Sequence, residues 1–149
     1  MQIREVMTET VVTAAPHCPV GTVAEMMRER NVGSVVLVDD GGAPVGFVTD
    51  RDLTISVLAD GRDTRDPAEA HASSPVITAS PDMDVQEAAD LMVGHGIRRL
   101  PIVDGERIAG ILTLDDLAAR TGDLGIALAI TSEITRAQMP DFYFFERGG

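Results

Sequence analysis

Apolar residues along the chain fall into two alternating rhythms, and the series of rhythms occurs twice. Val20, Val23, Ala24 and Met27 are spaced i, i+3, i+4 and i+7, the spacing of one face of a helix. A β-branched run follows at Ser34–Val38, and then a turn-rich Asp39-Asp40-Gly41-Gly42. That sequence predicts a hairpin closed by a second strand over Pro44–Val48. A further helix is expected to start near Asp50. In the second half the helical spacing returns at Val85, Ala88, Ala89 and Met92. A strand at Arg99–Val103, a turn at Asp104-Gly105-Glu106, a strand at Arg107–Leu112 and a helix from about Leu114 complete the copy. Thr13-Ala14-Ala15-Pro16 lines up with Thr78-Ala79-Ser80-Pro81 at an offset of 65 residues, and the offset drops to 64 after the shorter second hairpin. Helices over 20–31 and 85–96 would be stopped by Asn31 and Gly33, and by Gly94 and Gly96.

These elements make a β-α-β-β-α unit of about 60 residues, present twice, and a unit of that size has a marginal core by itself. The expected organisation is a repeat over 1–60, a polar acidic linker over 61–74, a second repeat over 75–121, and a tail over 122–149. In the tail, Leu124, Ala127, Leu128 and Ile134 predict a third helix with an apolar face. Four of the chain's five aromatics then fall at Phe142, Tyr143, Phe144 and Phe145. Such a cluster suits contact with a partner or a sister subunit, or a tail folded onto its own domain.

Composition narrows the function classes. The net charge is −12, from 24 acidic and 12 basic residues, and every basic residue is arginine. Nucleic acid is therefore an unlikely partner. One cysteine, Cys18, allows no disulfide framework and agrees with a cytoplasmic location. No apolar run is long enough to span a bilayer, and the charged N-terminus does not read as a secretory signal. Histidines at 17, 71 and 95 are scattered, no metal-ligand spacing is present, and no nucleophile–base motif appears. No residue is expected to be catalytic. Cys18 stands at a helix start, where a thiol pKa can fall, or is a plain half-buried cysteine.

The informative motif is Gly-x-x-Thr-x-x-Asp, at Gly46/Thr49/Asp52 and again at Gly110/Thr113/Asp116. A threonine at a strand-to-helix junction stands beside free backbone N–H groups that suit a phosphate. An aspartate one turn on can accept two vicinal hydroxyls. A glycine before them leaves room for something to approach. The same spacing is also that of a capping box, in which the two residues satisfy each other's amides.

The doubled motif, together with Ile97-Arg98-Arg99-Leu100-Pro101-Ile102-Val103-Asp104 and Thr78-Ala79-Ser80-Pro81-Asp82, resembles a pair of CBS domains (cystathionine β-synthase domains). In length and layout the chain resembles the small stand-alone bacterial pairs of hypoxia-response type. The resemblance implies an α/β fold of two repeats packed sheet to sheet, a homodimer, and a regulatory module without catalysis. It implies an adenine nucleotide (AMP, ADP or ATP, less often NAD or S-adenosylmethionine) as regulatory ligand, with no cofactor required. One site would combine Thr49 and Asp52 with Ile77, Thr78, Arg98, Arg99 and Pro101. The other would combine Thr113 and Asp116 with Val12, Thr13, Ser34 and Val36. Because arginine suits bidentate phosphate contact, the Asp52 site is expected to be the better one. A protein partner or the dimer interface would read the ligand-induced shift. The competing expectations are a ligand-free structural or stress-response dimer, whose motifs are only caps, and an enzyme, which would need a base beside a nucleophile.

Overall fold

The computed structural model describes residues 1–138. The aromatic run at 142–145 lies outside them. In chain order the regular elements are β1 (Thr13–Ala14), α1 (Val20–Arg30), β2 (Ser34–Val38), β3 (Pro44–Thr49), α2 (Asp50–Asp52), α3 (Val85–His95), β4 (Arg99–Asp104), β5 (Arg107–Thr113), α4 (Leu114–Arg120) and α5 (Leu124–Gln138). A single 3-10 turn leads into the first extended piece of each copy, at Ile3–Glu5 and Ala68–His71. Past Asp52, helix α2 continues over Leu53–Leu58 as a π-turn, a feature that sequence periodicity does not reveal. The α/β fold with two repeats is as the sequence indicates. The extended piece at Thr78 is reduced to a parallel bridge between Ala79 and Ile102.

The chain divides into two compact units that do not follow the repeat boundaries. One, the sheet unit, holds residues 9–80 and 101–111; the other, the helix unit, holds 1–8, 81–100 and 112–149. Each repeat's leading 3-10 turn thus belongs with the opposite repeat's last helix.

In the sheet unit, β2 is the centre of a three-stranded sheet ordered β1-β2-β3. It runs parallel to β1, with Thr13 beside Val36, and antiparallel to β3, with Ser34 opposite Thr49. Val35, Val36 and Leu37 are all buried, the mark of a strand covered on both faces. Val20, Val23 and Met27 of α1 share one core with Val35, Leu37, Val48, Val57 and Ala68. Asn31 ends α1 in the left-handed region at φ 53°, where asparagine is better tolerated than most residues.

The stretch expected as a plain linker is structured. Its carbonyls cap α1, whose preceding Pro19 offers no side-chain cap: Val20 N donates to Asp66 O at 2.9 Å and Gly21 N to Thr64 O at 2.8 Å. These bonds satisfy donors that a helix start leaves open. Ala68 is fully buried, and Ser73 exchanges two backbone bonds with Phe47 of β3.

In the helix unit, Val85, Ala88, Ala89 and Met92 of α3 are buried, as their spacing predicts, together with Ile3, Val6, Leu112 and Leu117. Asp84 caps α3 by accepting from Gln86 N at 2.8 Å. Gly96 closes the helix at φ 63°. Of the predicted apolar face of α5, Ala127 is buried, beside Ile130, whereas Leu124 and Leu128 are 76% and 69% exposed; the Ile134 side chain lies outside the described ones. The helix is rotated so that the 127/130 row, three residues apart, faces inward.

Candidate functional site

Both Thr-x-x-Asp motifs stand at strand-to-helix junctions, and both form capping boxes. In the first, Thr49 Oγ1 accepts from Asp52 N at 3.1 Å, and Asp52 Oδ2 accepts from Thr49 N at 2.8 Å. In the second, Thr113 Oγ1 accepts from Asp116 N at 3.1 Å, and Asp116 Oδ2 accepts from Thr113 N at 2.9 Å. Each junction is tied to the loop before its repeat's first hairpin strand. Asp50 N donates to Gly33 O at 3.0 Å, and Leu114 N to Arg98 O at 3.2 Å. Sequence repetition has produced the same local geometry twice.

The two carboxylates differ in what remains available. Asp116 is buried, and both its oxygens are engaged. Oδ2 also accepts from the Thr113 hydroxyl at 2.9 Å, and Oδ1 accepts from the Thr8 hydroxyl at 3.1 Å. Arg120 Nε lies 3.6 Å from Oδ1, while its Nη1 donates to the carbonyls of Val6 and Met7. Asp52 is half-buried. Among the described residues nothing donates to its Oδ1, and the Thr49 hydroxyl, unlike that of Thr113, does not donate to the motif's carboxylate. Among the described residues the first motif therefore leaves one strong acceptor and one hydroxyl proton without a partner, whereas the second uses its polar atoms within the fold.

Gly46 has a different role from the one its place in the motif suggests. A Cβ there would meet Ala72 Cβ at 3.1 Å and Leu37 Cδ1 at 3.2 Å. The close approach is made by the chain itself.

The remaining predicted residues are distributed as follows. Thr49, Asp52, Ile77, Thr78 and Pro101 belong to the sheet unit, and Arg98 and Arg99 to the helix unit. Pro101 O accepts from Ala79 N at 3.1 Å, which sets the 77–79 segment beside it. Arg98 is exposed and its Nη2 reaches Thr135 Oγ1 at 3.3 Å; Arg99 is half-buried at the start of β4. Of the second group, Thr113 and Asp116 lie in the helix unit and Val12, Thr13, Ser34 and Val36 in the sheet unit. Val12 O accepts from Val36 N at 3.0 Å. Ser34, opposite Thr49 in the sheet register, lies next to the first motif.

One constellation is invisible in the sequence, where the histidines look scattered. His71 Nδ1 lies 2.9 Å from Ser56 Oγ, and its Nε2 lies 3.1 Å from Asp66 Oδ2. Ser56 Oγ also donates to the carbonyl of Asp52 at 2.8 Å. Arg62 Nε donates to Asp66 Oδ2 at 3.0 Å. The bond to His71, and then that from Arg62, hold the Asp66 carboxyl below its ordinary pKa. The imidazole is 6% exposed. Spacings of 5 and 15 residues match no familiar motif; the structured linker brings the three together.

Cys18 is half-buried, and burial raises its thiol pKa above the ordinary value. The thiol is not the activated one that a helix start could have produced. Among the described residues no three His, Cys, Asp or Glu side chains converge as a metal site would need. No described helix is long and apolar enough to cross a membrane.

The CBS domain family model matches this chain twice, over residues 3–58 and 68–121. The chain belongs to the CBS domain family. A protein of Methanopyrus kandleri is 43% identical over 122 residues, a match that covers 78% of this chain and 61% of that relative. Among solved structures, a CBS domain protein of Pyrobaculum aerophilum complexed with AMP is 27% identical with a TM-score of 0.75, over 89% of this chain and 99% of that one. The CBS domain pair of protein MJ0100, in complex with 5′-methylthioadenosine and S-adenosyl-L-methionine, is 26% identical with a TM-score of 0.72, over 79% of this chain and 93% of that one. CBS domain proteins are in general regulatory, and the fold expected from the repeat is the family's.

Proposed function

We propose that this chain is a regulatory sensor that binds an adenine nucleotide through the Thr49/Asp52 motif and passes the change to a dimer interface or a protein partner. The observation that carries this reading is the pair left at the first motif, Asp52 Oδ1 and the proton of the Thr49 hydroxyl, whose oxygen accepts from Asp52 N. A carboxylate oxygen held at a fixed junction suits the vicinal hydroxyls of a ribose. The backbone around Ile77, Thr78 and Pro101, in the same unit, suits an adenine edge. Arg98 and Arg99 are the phosphate partners that the family resemblance assigns. AMP in the Pyrobaculum relative and the two adenosyl compounds on MJ0100 support an adenosine-containing ligand.

The Asp116 motif is spent on Thr8, Thr113 and Arg120, so we assign one strong site per chain. No catalytic step is assigned: binding alone biases the protein between conformations. The closed capping boxes favour one competing reading, a ligand-free homodimer in which both motifs are caps only. Calorimetric titration with AMP, ADP, ATP, NAD and S-adenosylmethionine separates them. Saturable heat with at least one adenine nucleotide, lost in Asp52→Ala, is the expected result; no heat with any of the five favours the ligand-free dimer.

A further inference from the structure

We propose that His71 and Ser56 form a proton switch on the Asp52 turn, so that occupancy of the Thr49/Asp52 site is linked to one proton on His71. The ligand side of this inference rests on the nucleotide reading above; the switch itself does not.

The proton count at Ser56 carries the argument. A serine hydroxyl has one proton to donate, and a neutral imidazole has one. Ser56 Oγ has two short contacts, the Asp52 carbonyl at 2.8 Å and His71 Nδ1 at 2.9 Å. The other ring nitrogen faces the Asp66 carboxylate at 3.1 Å. All three contacts are hydrogen bonds only when the ring carries two protons. Nδ1–H then donates to Ser56, the Ser56 hydroxyl donates to Asp52 O, and Nε2–H donates to Asp66. Removing the Nδ1 proton to water leaves a lone pair that draws the Ser56 hydroxyl to the ring and away from the Asp52 carbonyl. Removing the Nε2 proton instead sets a ring lone pair against a carboxylate, which is repulsive. Deprotonation of His71 therefore withdraws a hydrogen bond from the backbone of Asp52, the residue whose side chain is held out for a ligand.

The surroundings isolate this ring. The 68–71 turn packs against β3 and the 53–58 turn, and neither of those elements carries an ionisable side chain. The head of α2 supplies Asp50, Arg51 and Asp52, and the 16–19 loop supplies His17 and Cys18. The linker supplies Arg62, Asp63, Arg65 and Asp66, and the turn itself Glu69. Asp66 alone of these hydrogen-bonds the ring. Imidazole is the side chain whose ordinary charge change falls between pH 5 and 8, and the π-turn that holds Ser56 is a form often found at functional sites. Ser56 does not suit the role of a nucleophile, because its hydroxyl lies on the carbonyl four residues back, as a serine inside a helix does.

Two measurements test the switch on the full chain. In the ligand-free protein, NMR titration should move the backbone carbonyl resonance of Asp52 in step with the imidazole of His71. In Ser56→Ala, His71 should still titrate while the Asp52 response disappears. An Asp52 carbonyl that ignores His71, or follows it equally in Ser56→Ala, overturns the proposal. With AMP as probe, wild-type affinity should weaken by several-fold more than that of Ser56→Ala between pH 6 and pH 8, with one proton capping the difference at about tenfold per unit. Titration of the AMP phosphate affects both proteins alike and cancels in the comparison. Equal pH dependence in the two proteins contradicts the linkage. If AMP binds at no pH, the nucleotide reading fails, and the ligand-free titration still decides the switch.

Discussion

Asp52 and Asp116 hold the same place in two copies of one motif, but the fold engages both oxygens of Asp116 and, among the described residues, only Oδ2 of Asp52. Asp116 ties α4 to the 1–8 segment through Thr8 and Arg120, so its loss should cost stability. Hydrogen bonds to a charged group contribute about 1.5–3 kcal/mol when one partner is removed, and in a chain of this size about 1 kcal/mol moves the melting temperature by about 2–4 °C. Asp116→Ala should therefore melt about 5–10 °C below wild type by calorimetry, whereas Asp52→Ala, which loses only its cap, should fall by less. Acid behaviour belongs to the same scale. Asp63, held at about 2 by its hydrogen bonds with Arg65, and Asp66 and Asp84, both shifted down by their partners, ionise more readily in the fold than at the ordinary 3.8. A depressed carboxylate stabilises the fold above its unfolded value, and the contribution is lost as pH falls through the folded one. Thermal stability should fall from pH 4 towards pH 2, and Asp66→Asn should flatten that slope; an unchanged slope counts against the His71–Asp66 contact. The cap was legible in the Thr-x-x-Asp spacing because it is local. Thr8 as the partner of Asp116, 108 residues away, was not, because no local pattern records a contact between distant segments.

At the scale of elements, the linker is the main departure from the sequence reading. Its polar, acidic composition suggests a solvated connector, yet its backbone caps α1, pairs with β3 and places Ala72 against Gly46. Composition reports side chains, and these contacts are mostly made by carbonyls, amides and two small residues. Gly46→Val should overpack this contact, at a cost of about 1–3 kcal/mol. Adding Ala72→Gly should recover part of the loss in denaturant unfolding; additive losses would place the strain elsewhere. Helices α1 and α3 were legible to within one residue at each end from their apolar spacing and stop residues; of the candidate stops, Asn31 and Gly96 take the left-handed cap, while Gly94 lies inside α3. Helix α5 was legible as a helix but not in its orientation. Leu124 and Leu128 flank Ala127 in the pattern as plausibly as Ile130 does, and only packing chooses which of them face inward with it. The π-turn after Asp52 is not legible in the sequence, because one extra residue in a helical turn leaves no mark in a short run such as Leu-Thr-Ile-Ser-Val-Leu.

At the scale of the molecule, duplication gave the family and the fold from the sequence, and the comparisons agree. The division into units, however, crosses the duplication: each repeat lends its leading turn to the unit that holds the other repeat's last helix. Asymmetry between the copies follows from that exchange. Thr8 arrives beside Asp116 and closes that motif, while His71 to Ser73 arrive in the unit of Asp52 and leave its outer oxygen available. If the first motif is the nucleotide site proposed above, this difference makes one copy a ligand site and the other a structural joint. Calorimetric titration of AMP into wild type, Asp52→Ala and Asp116→Ala, each checked to be folded, tests it most directly. The expected result is one equivalent of AMP per wild-type chain, binding lost in Asp52→Ala, and binding kept in a less stable Asp116→Ala. Two equivalents per chain, or equal losses in the two variants, would contradict it.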